Sequence, residues 1–153
     1  MSQESNKKAV HALNELIEKN YDAEKGYKEA VTDVENHELK DFFTKSVQQR
    51  YDFGHEIKDE ITKLGGTPDK GTSITGNLHR IWINLKSFVL GNNVEAVIEE
   101  CKRGEHAAID DYEKVLKMEE VPMDAKIVLR RHLQQIRSSV EHLDTLKKRF
   151  ATA

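Results

Sequence analysis

The chain of 153 residues is poor in the residues that break helices or build disulfides. It contains two prolines and eight glycines, and five of those glycines fall between residues 65 and 91. The single cysteine, Cys101, excludes an intrachain disulfide and a cysteine-based zinc site. So few helix breakers outside one stretch, together with abundant Glu, Lys, Leu and Ala, indicate long helices.

The sequence also lacks an excess of positive charge and a long apolar run. Lysine and arginine number 24 against 27 acidic residues, so the formal net charge is −3. Since a nucleic-acid binder needs a basic surface, we expect no nucleic-acid partner. No stretch reaches the roughly 20 apolar residues of a transmembrane helix, and the N-terminal residues lack the apolar segment of a secretory signal. We therefore expect a cytoplasmic protein with no membrane partner.

The spacing of apolar residues predicts five helices within a single domain, residues 1–153. The predicted helices cover residues 7–35, 38–64, 73–90, 94–118 and 123–150. Helices 1–2 and 4–5 form tight hairpins, and a long crossover with the short third helix joins them. This order predicts an all-α, ferritin-like antiparallel four-helix bundle rather than an up-and-down bundle. An irregular five-helix globule is the alternative.

The third predicted helix carries an aromatic and aliphatic face that includes Trp82 and Phe88. One interpretation is that this helix lies across the bundle as a lid on core residues. The other is that part of its face packs on a second subunit, because exposed Trp and Phe favour interfaces. The pattern favours the lid and leaves a homodimer as an open alternative.

Polar side chains on otherwise apolar faces are the informative ones in a bundle. Glu24 lies in the apolar stripe of the first helix, and Glu105 lies in that of the fourth, with Tyr112 further along the same face. Arg50 is the only cation on the apolar stripe of the second helix. Counting residues from the turn at 36–37 places Arg50 level with Glu24. We therefore expect a core polar cluster of Glu24, Arg50, Glu105 and Tyr112, in which Arg50 pairs with one or both carboxylates.

Several segments resemble known ferritin-like proteins. GEHAAIDDY, residues 104–112, resembles the third bundle helix of rubrerythrin-type proteins, where a Glu binds iron, and DAEKGY around Glu24 resembles their first helix. Over residues 10–150 the chain resembles a bacterial family of ferritin-like four-helix-bundle proteins of unknown function. The matching segments are LNELIE, DAEKGYKEAVTDV, ELKDFF, QQRYDFGHEI, KLGGTP, LHRIWINLKS, KRGEHAAIDDYEKVL and the C-terminal helix. The resemblance implies the fold, makes Glu24 and Glu105 candidate metal ligands, and assigns no reaction.

The remaining ligands of a dinuclear iron site are incomplete in this sequence. Such bundles use a Glu from each of two helices and a Glu-x-x-His from each of the other two. Asp52-x-x-His55 has the spacing, but helical angles turn both side chains away from the apolar face, so we expect them to face solvent. Ser139-x-x-His142 has serine in place of the carboxylate, which leaves His142 as a third candidate ligand. The sequence predicts a degenerate site with no catalytic residue and no favoured cofactor; iron or another divalent metal is the alternative.

Three functions remain open from the sequence. The favoured one is a non-catalytic ferritin-like bundle, stress-related or scaffolding, that acts through a protein partner. The first alternative is a metal-binding oxidoreductase or a metal-storage protein of the di-iron type. The second is a small-molecule binding bundle with a polar pocket near Glu24, Arg50 and Glu105.

Overall fold

The computed structural model describes residues 3–69 and 77–151, which form five α-helices and no strand. The helices are α1 (Gln3–Val31), α2 (His37–Lys63), α3 (Asn77–Leu90), α4 (Val94–Leu116) and α5 (Met123–Ala151). The first helix begins at residue 3 rather than 7, and it ends at residue 31 rather than 35. The predicted start of the third helix, residues 73–76, lies outside the described residues.

Short-range signals in the sequence set several of the helix ends. Asn36 precedes α2, and its side-chain oxygen accepts a hydrogen bond from the Leu39 N–H at 3.0 Å. Asn93 caps α4 in the same way. At the end of α2, Gly65 adopts φ 78°, which lets the Gly66 N–H donate to the carbonyl of Ile61 at 3.0 Å. The glycine pair therefore ends α2 as predicted, because Gly65 adopts the left-handed backbone conformation.

The four long helices form a ring in the order α1, α2, α5, α4. Tyr27 meets Glu105 and Asn20 meets Tyr112, so α1 and α4 run in opposite directions. Contacts between α2 and α5 show the same antiparallel arrangement, with residue 38 near 149 and residue 56 near 132. Consequently α2 and α4 occupy diagonal corners and run the same way, so the connection between them must return along the bundle. The predicted topology of two hairpins and a crossover is confirmed, and the irregular globule is excluded.

Two apolar clusters fill the interior and meet at a polar layer. One cluster lies around the start of α1 and α5 and includes Leu13, Ile17, Ile57, Leu129 and Ile136. The other lies around the end of α1 and includes Tyr27, Phe43, Trp82, Ile98 and Leu143. Burial of these side chains supplies most of the driving force for folding.

The crossover helix α3 packs on α1 and α4. Trp82 is buried between Gly26 and Gly104, where a Cβ atom at either glycine would lie 2.6 Å from the Trp82 side chain. Glycine is therefore needed on both bundle helices to admit the indole. Leu85 is also buried, as expected for a lid on the core. Across residues 3–69 and 77–151, every helix is too short or too polar to span a membrane.

Candidate functional site

An ion pair between Arg50 and Glu105 occupies the centre of the bundle. Arg50 Nη2 donates to Glu105 Oε2 at 2.6 Å, and the two side chains are 1% and 0% exposed. Arg50 Nη1 donates to Asn20 Oδ1 at 3.0 Å. Charge-assisted hydrogen bonds of this kind are about twice as strong as neutral ones, and here no solvent competes for them. Burial is the largest single influence and opposes the charged guanidinium, but Glu105, together with Tyr27 and Tyr112, raises the pKa of Arg50 above its usual value.

Tyr27 forms a hydrogen bond with the other carboxylate oxygen of Glu105. Its hydroxyl donates to Glu105 Oε1 at 2.6 Å. Burial raises the pKa of Tyr27 well above its usual value, and the charge of Glu105 raises it further. The phenol therefore stays protonated as a donor. Both oxygens of Glu105 are committed to hydrogen bonds within the protein.

Asn20 extends this layer toward α5. Its amide nitrogen donates to the Tyr112 hydroxyl at 2.9 Å and to the carbonyl of Leu16 at 2.9 Å. The Tyr112 oxygen lies 3.0 Å from His132 Nδ1. Because Asn20 already donates to the phenol oxygen, the phenol O–H is free to donate to His132. Burial raises the pKa of Tyr112, so that proton is retained.

His132 carries the network from the interior to the surface. Its ring is fully buried and stacks on Phe53 with 3.9 Å between ring centroids. Burial lowers the pKa of His132 to about 4, against the opposing effect of Glu56, so the ring is neutral at pH 7. With Nδ1 accepting from Tyr112, the proton lies on Nε2 and is directed at Glu56 Oε1, 3.3 Å away.

Glu56 forms the outer end of the network and also bonds to Arg131. Burial alone would raise the pKa of Glu56, but the Arg131 hydrogen bond and the neighbouring positive charges hold it below its usual value. A continuous chain of hydrogen bonds thus runs from Tyr27 through Glu105, Arg50, Asn20, Tyr112 and His132 to Glu56. We call this chain the central network.

The structure brings three of the four predicted cluster residues together. Arg50 and Glu105 bond directly, and Tyr112 joins them through Asn20. The predicted pairing of Arg50 is therefore realised with Glu105 and not with Glu24.

The prediction that Glu24 belongs to the core cluster is wrong. Glu24 is half-buried in an outer groove between α1 and α2, beside Tyr21 and His55. Burial there raises its pKa. The buried face of α1 passes through Asn20, Ala23 and Tyr27, so Glu24 is turned about 100° from Ala23. Because α1 ends at residue 31, the turn is centred before residue 36, and Asn20 rather than Glu24 lies level with Arg50.

The other predicted ligand positions lie on the outside of the bundle. Asp52 and His55 are exposed, as the helical angles predicted, and Asp52 accepts a hydrogen bond from Gln48. His142 is exposed and stacks on Phe42 at 5.9 Å, away from the central network. Its assignment as a ligand alongside Glu105 is therefore not supported by its position. Among the residues that the structure describes, no group of three or more His, Cys, Asp or Glu side chains is arranged to hold a metal.

Sequence reasoning missed Asn20, Tyr27, His132 and Glu56 as members of the network. Asn20 and His132 carried a signal, because each has apolar residues three and four positions before it on its helix. Tyr27 was indistinguishable from an ordinary core aromatic. Glu56 gave no signal, because only the packing of α2 against α5 brings it to His132.

The donor set of the central layer does not fit a dinuclear iron centre. Such a centre draws on four carboxylates and two histidines. The central network supplies two carboxylates, the buried Glu105 and the partly exposed Glu56 at its outer end. It supplies one neutral histidine, His132, and a fixed cation, Arg50. Each of these groups already has protein partners.

Comparison with known proteins gives both a family and a fold. The family model described as "Domain of unknown function (DUF2383)" matches residues 8–118. No curated protein matches the chain.

Several solved structures share the fold. A ferritin-like, diiron-carboxylate protein from Bacillus anthracis str. Ames is 21% identical with a TM-score of 0.74, over 96% of this chain and 99% of that chain. A Dps1 mutant from Mycobacterium smegmatis is 14% identical with a TM-score of 0.77, over 96% and 99%. The bacterioferritin of Desulfovibrio desulfuricans is 16% identical with a TM-score of 0.76, over 97% and 83%. At these identities the similarity establishes the ferritin-like fold alone.

Proposed function

We infer that this chain, which belongs to the family described as Domain of unknown function (DUF2383) and has a ferritin-like fold, is a non-catalytic bundle with a metal-free polar core. In this proposal the protein acts by binding a partner. Its polar interior stabilises the fold and specifies one packing arrangement of the helices. The stress-related or scaffolding role through a protein partner stays a prediction from the sequence.

The observation that supports the proposal most directly is that both carboxylate oxygens of Glu105 already accept hydrogen bonds from protein groups. One oxygen accepts from Arg50 and the other from Tyr27, both at 2.6 Å, with no exposed surface. A metal ion at this carboxylate would have to displace at least one of these donors. It would leave either a buried guanidinium or a buried phenol without its partner, which costs several kcal/mol for a charged group.

Charge supports the same conclusion. Arg50 is a permanent cation in direct contact with Glu105, the buried carboxylate of the central network. Two unit charges about 4 Å apart interact by about 4 kcal/mol at an effective dielectric constant of about 20, and a divalent ion doubles that figure. Arg50 therefore supplies the positive charge beside Glu105 that a metal would supply, and it repels a metal from the same place.

The alternative function is metal binding, as an oxidoreductase or a storage protein. It is favoured by two structural neighbours, one titled a diiron-carboxylate protein and the other a bacterioferritin with a diiron site. For this chain it would require Arg50 to leave the central layer. The small-molecule alternative near Arg50 and Glu105 has less support, because the oxygens of Glu105, Asn20 and Tyr112 already accept hydrogen bonds within the protein.

The test is anaerobic loading with Fe(II), followed by removal of free metal and elemental analysis. We expect the wild type to retain no stoichiometric iron and to show no iron-dependent oxidation when oxygen is admitted. Glu105→Gln is the interior variant, and Glu24→Gln is the matched control on the outer face. One or two irons per chain, retained by Glu24→Gln and lost by Glu105→Gln, would overturn the proposal.

A further inference from the structure

A groove lined by both polar and aromatic side chains lies between α2 and α5, outside the central network. Its volume is about 320 Å³, and its lining includes Lys45, Ser46 and Gln49 from α2 and Gln135, Ser138 and His142 from α5. We call it the α2–α5 groove. Binding sites for small molecules begin at about this size, and at about 30 Å³ per molecule this volume corresponds to about ten waters.

One buried polar atom of a lining residue lacks a protein partner. Gln49 lines the groove, and its Oε1 is buried and has no hydrogen-bond partner in the described part of the chain. Ser46, which lines the groove, is 4% exposed. An unsatisfied buried polar atom costs about 1–3 kcal/mol. Such atoms are therefore expected to meet hydrogen-bonding groups that enter the groove.

The charge of the lining is one-sided. Lys45 is a cation, it makes no ion pair with any residue the structure describes, and no carboxylate lines the groove. The remaining polar groups are serine hydroxyls, glutamine amides and the His142 imidazole. The hydroxyls and amides can both donate to and accept from hydroxyls. This combination suits a ligand with one anionic group and several hydroxyl groups.

One wall of the groove is aromatic. Phe42 and His142 both line it, and their rings stack with 5.9 Å between centroids and 25° between planes. Phe42 is 6% exposed, so the exposed His142 ring presents most of this wall to the C–H groups of a carbon skeleton. The amides and hydroxyls that also line the groove can bind its oxygens.

We propose that the α2–α5 groove is a binding site for a small polyol that carries one phosphate or carboxylate group. No described residue that lines the groove belongs to the central network, so the proposal is independent of whether that network binds metal.

The first experiment measures binding by isothermal titration calorimetry and by amide chemical shifts in NMR. The probes are glucose 6-phosphate and gluconate, with glucose and inorganic phosphate as controls. We expect at least one anionic sugar to bind and to shift amides within 42–49 and 135–142, and each control to bind at least about tenfold more weakly. Comparison of the affinities for glucose 6-phosphate and gluconate shows whether the site prefers a phosphate or a carboxylate group. No binding of either anionic sugar, or equal binding of inorganic phosphate, would overturn the proposal.

The second experiment uses matched lysine variants. Lys45→Ala removes the cation of the groove, and Lys40→Ala removes an exposed lysine from another face of the same helix. We expect Lys45→Ala to weaken binding about tenfold or more and Lys40→Ala to leave it unchanged. Equal losses in both variants would show non-specific attraction and would count against the site. Circular dichroism checks that both variants keep the wild-type fold.

Discussion

Arg50 and Glu105 belong to helices on diagonal corners of the bundle, yet their side chains bond at 2.6 Å in its centre. The backbones of α2 and α4 make no close approach within the described residues, so side chains alone connect this diagonal. Arginine is long enough to cross the centre and to bond with a carboxylate from the far helix. The pair therefore ties the two hairpins together at the level where the apolar clusters meet.

We predict that Arg50→Met destabilises the protein by about 3–5 kcal/mol at neutral pH. The variant leaves Glu105 buried without its cation, and it removes a hydrogen bond from Asn20. Chemical unfolding at fixed temperature measures the loss of free energy of unfolding.

The control is the double variant Arg50→Met with Glu105→Gln. Glutamine is neutral and can still accept from Tyr27, so we expect the double variant to recover part of the loss. If the single variant is as stable as the wild type, the ion pair does not hold the bundle together.

We predict that His132 makes the protein less stable in mild acid. Burial lowers the pKa of His132 to about 4, whereas an unfolded histidine titrates near 6.5. Between these values the unfolded chain binds a proton that the folded chain does not. Protonation of His132 therefore favours the unfolded chain in this range. The free energy of unfolding is unaffected by the titration of this histidine above pH 6.5 and falls by about 3 kcal/mol in total as the pH is lowered toward 4.

The measurement is the free energy of unfolding of the wild type and His132→Gln between about pH 4 and 7. We expect a smaller slope in this variant. His106→Gln, at an exposed histidine of α4, is the control that keeps the wild-type slope. Identical slopes for all three proteins would contradict a buried neutral His132.

We predict that Gly104→Ala destabilises the bundle, although alanine is normally the better helix former by about 1 kcal/mol. The added Cβ would lie 2.6 Å from Cη2 of the buried Trp82, so the crossover helix must shift. Overpacking of this kind costs about 1–3 kcal/mol. Thermal unfolding measures the effect, and an unchanged or raised melting temperature would be the opposite result.

The rescue variant separates the clash from any local effect at residue 104. In a Trp82→Leu background the ring is absent, so Gly104→Ala should cause no further loss. A loss of equal size in both backgrounds would place its cause within α4 itself.

The homodimer stays a prediction, and its location can be tested. Leu90 and Phe88 at the end of α3 are exposed, at 63% and 38%. We expect sedimentation to show a dimer that Leu90→Lys weakens. Ile127→Lys changes a residue on α5 that is similarly exposed, at 59%, and should leave the dimer intact. A monomeric wild type, or a dimer lost only in Ile127→Lys, would contradict an interface at α3.

The sequence by itself determined the helices and their connection. Apolar spacing at three and four residues defines the buried faces, and the glycines at 65–66 followed by Pro68 end α2. These signals are local, because a helix and its end depend on residues within one or two turns. The burial of Arg50, Glu105 and Tyr112 followed from the same local pattern.

Only the tertiary structure decided which polar groups meet. Neighbouring positions on a helix differ by 100°, so a shift of one residue at the edge of the stripe moves Glu24 out of the core while Asn20 stays inside. Glu56 and His132 are 76 positions apart, and their contact depends on the packing of α2 against α5. The pairing of Arg50 with Glu105 depends on the diagonal placement of α2 and α4. Packing across the bundle fixes these contacts because side chains bond by distance in space, which local sequence patterns do not specify.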